Sequence, residues 1–161
     1  WLGPSIHSGD REFRVPDHYP LEAAGCRIDE NGVKYIRVKG VRWFTNLDFK
    51  ERHEIITFYR QYNPKDYPHY VNYDAIEVSV TADIPYDYLG EMGVPITFLD
   101  KFNPDQFEII GSSGELAKPM SDIAEEGTYV KGGPSFYVVQ EDGTYKRLYK
   151  RLVIKRKGAA E

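Results

Sequence analysis

The sequence predicts a β-rich α+β fold, and three observations carry that reading. Its 14 glycines and 10 prolines are spread along 161 residues and cut the chain into short β-type segments. Two junctions, Asn31-Gly32 and Asp142-Gly143, are dipeptides that accept the φ > 0 a tight hairpin needs. No stretch offers the crossover helices, about ten residues or longer, that a self-contained parallel α/β fold requires.

The elements follow in order. Residues 33–38 (VKYIRV) alternate as a strand, and 26–28 are expected to pair back onto them across the Asn31-Gly32 turn. Residues 41–45 (VRWFT) read as the next strand and 54–60 (EIITFYR) as another, too short and too β-branched for helix. Between 61 and 73, two prolines and four tyrosines predict an ordered aromatic loop. Strands are expected at 75–80, at 94–99 with Pro95 at its start, and at 106–110. Residues 121–126 suit a short helix capped by Ser121. A closing hairpin pairs 135–140 with 145–155 around Glu141-Asp142-Gly143.

Composition excludes several functions. No apolar run approaches the roughly 20 residues of a membrane span, and no signal-peptide pattern opens the chain. The single cysteine, Cys26, excludes an internal disulfide framework and a Cys-rich zinc site, and fits a reducing cytoplasm. His7, His18, His53 and His69 have no metal-ligand spacing. Neither a Walker loop nor GxGxxG is present, and Gly132 to Pro134 is turn chemistry. The carboxylate pairs Asp83/Asp87 and Asp100/Asp105 are pairs by count only. Net charge is −4, yet 144–157 carries seven basic residues and no acid, so the rest of the chain stands at −11. This acidic body with a basic end admits two readings, a solvated terminal strand or a phosphate-contacting ridge.

Three stretches narrow the choice: VRWFTNLD at 41–48, YNPKDYPHYVNYDAIEV at 62–78, and ADIPYDYLGEMGVPITFLDKFNPDQFEIIG at 82–111. With VPDHY at 15–19 and the closing SFYVVQEDGTYKRLYKRLVIKRK, they resemble the C-terminal portion of the EcoRI-type adenine-specific DNA methyltransferases. The resemblance implies transfer of a methyl group from S-adenosylmethionine to N6 of an adenine flipped out of duplex DNA. Family members hold their cofactor segments and an Asn-Pro-Pro-Phe motif in an upstream half. This chain contains no such tetrapeptide; Asn63-Pro64-Lys65 and Asn103-Pro104-Asp105 read as turn initiators.

Together with the Trp1 start, this gives the expectation of a downstream part, inactive alone, with no catalytic, cofactor-binding or metal residue of its own. S-adenosylmethionine is then expected to bind only the full-length enzyme. Residues 1–60 are expected to supply late strands of a Rossmann-like methyltransferase sheet and 61–161 the target-recognition region. Trp43, Phe44 and Asn46 are the candidates for the adenine pocket, where stacking helps offset base extrusion. Arg52, His53, Asn63, Lys65, Tyr67, His69, Lys101 and Asn103 are candidate DNA contacts, and Lys146, Arg147, Lys150 and Arg151 candidate phosphate contacts. Expected partners are double-stranded DNA, the catalytic half in the same or another chain, and a second copy through an exposed sheet edge. Two other classes remain open: a stand-alone DNA-binding or assembly module, and a β-rich carbohydrate- or protein-binding domain.

Overall fold

The computed structural model describes residues 5–21 and 25–158, with the backbone alone at 5–9 and 42–44. The expected β-rich character is present, with mixed sheets and few helices. By backbone contact the chain divides into two compact units, Trp1–Leu47 and Asp48–Glu161. That division falls ahead of residue 60 because Phe58 packs edge-on against Phe107, 5.6 Å between centroids, inside the second unit.

The first unit is a three-stranded antiparallel sheet. Strand β1 (Ser5–Val15) pairs with β3 (Lys34–Phe44), whose other edge takes the two-residue β2 (Arg27–Ile28). The Asn31-Gly32 turn forms as expected: Gly32 has φ +78°, and the Asp29 carboxylate accepts the amides of Asn31 (2.9 Å) and Val33 (2.8 Å). The two strands expected at 33–38 and 41–45 are one. Gly40, at φ +65°, absorbs a bulge where the β1–β3 register shifts, and its amide donates to Asp10 Oδ1 at 3.2 Å.

The second unit is built on a four-stranded sheet in the order β4 (Ile76–Glu77), β5 (Glu91–Pro95), β9 (Arg151–Arg156), β6 (Phe107–Ser112). Period-2 alternation explains its two-sided core. Leu152 and Ile154 join Ile76, Met92, Val94, Phe98 and Phe107 in the larger cluster, while Val153 packs with Tyr70, Ala75 and Phe136 in the smaller. The hairpin of β7 (Tyr137–Val139) and β8 (Tyr145–Arg147) closes at Gly143, φ +81°, as its Asp-Gly pair requires.

Four elements differ from expectation. Residues 54–60 form no ladder: the Gln106 side chain clamps the Ile56 backbone from both sides (2.7 and 2.9 Å), and Arg60 makes a single bridge to Pro85. Strand β5 ends at Pro95, where one was expected to begin, and 96–100 turn into a 3-10 segment. The closing arm at 145–155 breaks into β8 and β9. Residues 121–126 form no helix; a 3-10 turn occupies Met120–Asp122, after Pro119. Among the described residues the sole α-helix is the single turn α1 (Ser113–Leu116), closed by a capping box between Ser112 and Glu115. The parallel pair β4–β5 is joined by turns rather than a crossover helix. No described helix is long and apolar enough to cross a membrane.

Candidate nucleic-acid interface

The loop at 61–73 is ordered, as its composition predicts, and it is inward-facing. Tyr62 packs on Tyr88 (4.5 Å between centroids) and Tyr67 (5.8 Å), while Tyr70 and Tyr73 stack on Phe136 at 4.4 and 5.2 Å. Buried Asn72, which sequence reasoning missed, pins the loop. Its amide donates to the carbonyls of Lys118 (2.9 Å) and Ser135 (2.8 Å) and accepts from the Tyr137 amide (3.1 Å). Among the candidate contacts here, Tyr67 is buried and its hydroxyl donates to the Asp83 carbonyl at 2.7 Å, so it serves the interior. Asn63, Lys65 and His69 are exposed, with Asn63 Oδ1 accepting the Lys65 amide in a local turn.

At the start of the second unit His53 bridges two carboxylates, Nδ1 to Asp105 Oδ2 at 2.6 Å and Nε2 to Asp48 Oδ1 at 2.7 Å. Donating from both nitrogens requires the imidazolium, so Asp105 and then Asp48 push the histidine's pKa above its usual 6.5. The same contact holds Asp48 below its usual range. The clip is therefore complete between the unfolded values of the two groups, about pH 4 to 6.5. It is lost as pH rises through the raised histidine value, and again in acid as Asp48 protonates. Thermal melts of wild type should show a midpoint that declines above neutrality, and His53→Gln should lose that component. Parallel pH profiles for the two proteins would contradict this account. Arg52 is buried with its guanidinium 4.6 Å from the Phe49 ring centre. Asn103 is buried too, donating to the Glu54 carbonyl and accepting the Asp105 amide. Lys101 is exposed.

The basic end separates into two sets. Arg151 is a core residue: only 11% of its side chain is exposed, it grips Glu77 (5%) through Nε and Nη2 at 2.8–3.1 Å, and Tyr70 and Ser79 donate to the same carboxylate. Burial works against the arginine's charge, and the bonds and charge of Glu77 outweigh it, leaving its pKa raised. Burial beside Glu77 pushes the Tyr70 phenol far up. Gly93 on β5 makes room for that phenol, since a Cβ there would overlap it. Arg151 is thus withdrawn from the phosphate ridge, because its charge is already matched inside the protein. Lys155 lies in register between Glu91 and Glu108, and Arg156 lies over the rings of Phe58 and Phe107 (5.4 and 5.5 Å). Lys146, Arg147 and Lys150 form the second set, exposed on β8 and the turn after it. Arg147 donates to the Gly133 carbonyl at 3.1 Å, and none of the three makes an ion pair among the described residues.

Of the adenine-pocket candidates, the side chains of Trp43 and Phe44 lie outside the described residues; their backbone is the end of β3. Asn46 is exposed in the loop that follows. No cluster of three or more His, Cys, Asp or Glu capable of holding a metal occurs among the described residues. One common cradle for a nucleotide cofactor is a glycine loop opening onto a helix. The one α-helix among the described residues is a single turn whose capping box uses its leading donors, so it offers no such cradle.

The chain belongs to the family described as adenine-specific methyltransferase EcoRI, which it matches over residues 1–157. It is 52% identical over 112 residues to the type II methyltransferase M.EcoRI of Escherichia coli, covering 68% of this chain and 34% of that protein. It is 34% identical to M.MpnI of Mycoplasma pneumoniae, covering 98% of this chain and 49% of that one. M.MgeORF184P of Mycoplasma genitalium is 37% identical, with 97% and 49% covered. The chain thus spans between about a third and a half of the length of these curated relatives. No solved structure matches it.

Proposed function

We propose that this chain is the downstream, DNA-recognising part of a type II DNA adenine-N6 methyltransferase of restriction–modification, inactive without its catalytic half. In the complete enzyme S-adenosylmethionine supplies the methyl group. The observation that carries the reading is the division of the basic end: Arg151 is paired with Glu77 and Arg156 lies over two rings, while Lys146, Arg147 and Lys150 are exposed with no ion pair among the described residues. Long exposed cations without a carboxylate partner suit phosphate oxygens, which set register rather than sequence. Exposed Asn63, Lys65, His69 and Lys101 are proposed as further DNA contacts, and Trp43, Phe44 and Asn46 as the contribution to the adenine pocket. The outer edge of β6 and its exposed Ile110 support self-association in the absence of the upstream half.

Neutralising Lys146 and Lys150 to Gln in the complete enzyme tests the reading. The slope of log K against log salt should become shallower by about 2, close to one unit per lost phosphate contact, with the thermal midpoint unchanged. An unaltered slope would remove the hairpin from the interface.

A further inference from the structure

Tyr149 is 91% exposed, the highest among the exposed large hydrophobic side chains. Its backbone, in contrast, is fixed on both sides. The Leu148 amide donates to the Phe136 carbonyl at 2.9 Å, Ser135 Oγ donates to the Leu148 carbonyl at 2.6 Å, and the Arg151 amide donates to Ser113 Oγ at 3.1 Å. Leu148 points into the smaller core beside Phe136. The ring thus projects from a held backbone and has no packing role inside the chain. It borders a cleft of about 230 Å³ with Gly114, Pro134, Arg147 and Lys150, so two cations share that lining with it.

We propose that Tyr149 is a stacking platform for a nucleobase displaced from the duplex, with Lys150 and Arg147 holding the adjoining phosphates. The inference rests on the DNA-recognition reading and adds a base-contacting residue to it. An exposed aromatic alone also suits a sugar ring. The flanking lysine and arginine, without a carboxylate bonded to them, favour a polyanion whose every unit has a π-face. The held backbone matters here, because no further main-chain ordering is needed to present the ring.

The test uses the complete enzyme, a single-stranded oligothymidylate carrying one 2-aminopurine, and a mixed-sequence duplex. Tyr149→Ala should weaken binding to the single strand about 5- to 150-fold, the loss of one stacked base, and abolish the quenching of 2-aminopurine. Tyr149→Phe should retain both affinity and quenching. The salt slope should be the same in all three proteins, since no phosphate contact is removed. The side chain packs against nothing, so melting of Tyr149→Ala should match wild type. Wild-type affinity and quenching in Tyr149→Ala, with salt-dependent DNA binding intact, would overturn the platform alone. Equal loss in the Ala and Phe variants would assign the effect to the hydroxyl and likewise overturn stacking. Absence of DNA binding by wild type would overturn both the platform and the recognition reading.

Discussion

Arg151→Met is expected to lower stability by about 3–5 kcal/mol, measured by urea unfolding at neutral pH, because it leaves the buried Glu77 carboxylate without its counter-charge. Glu77 is 5% exposed and would keep only the hydroxyls of Tyr70 and Ser79. The pair lies across the sheet from sequence-distant strands, β4 and β9, so its loss loosens the middle of the second unit rather than a surface. Adding Glu77→Leu to Arg151→Met should recover part of the loss, since removing both charges costs less than stranding one. A phosphate contact would behave differently, losing DNA affinity with folding intact. A fully stable Arg151→Met protein would return this arginine to the DNA interface.

Phe136→Ala should be comparably damaging, about 3–5 kcal/mol, by transfer and cavity costs together. Its ring is fully buried and sandwiched by Tyr70 and Tyr73, at 4.4 and 5.2 Å. Tyr73 in turn donates to Glu91 at 2.6 Å, and burial with that bond pushes its phenol up to about 12. Truncating Phe136 therefore frees two tyrosines of the 61–73 loop at once. Urea unfolding gives the magnitude, and near-ultraviolet circular dichroism should show loss of the tyrosine signal in the folded baseline. A drop below about 1 kcal/mol would mean the loop is held by Asn72 and the backbone, not by the aromatic stack.

Local signals were read well. Both Gly-containing hairpins, the ordered aromatic loop and the β-rich class follow from turn chemistry that acts within a few residues. What escaped was whatever a distant side chain decides. Residues 54–60 carry strand composition, but Gln106 takes the place of a neighbouring strand, and nothing local announces that an amide 50 residues away will do so. The same holds for the basic end. Arg151 and Lys150 are adjacent and chemically alike as letters; Arg151, the first residue of β9, is turned inward onto Glu77, while Lys150, in the turn before it, stays in solvent. Family membership was legible because the matching segments are long and their Gly, Pro and Asn positions fixed, whereas residue roles within the family depend on orientation, which spacing alone does not give.

The place that Gly93 leaves for the Tyr70 phenol has an evolutionary corollary. Any side chain at 93 collides with that tyrosine, and any smaller residue at 70 leaves Glu77 short of a donor and the space over 93 empty. The two positions are therefore expected to change as a pair: relatives that keep tyrosine at the first should keep glycine at the second, and those that abandon the tyrosine become free to fill the vacated strand position.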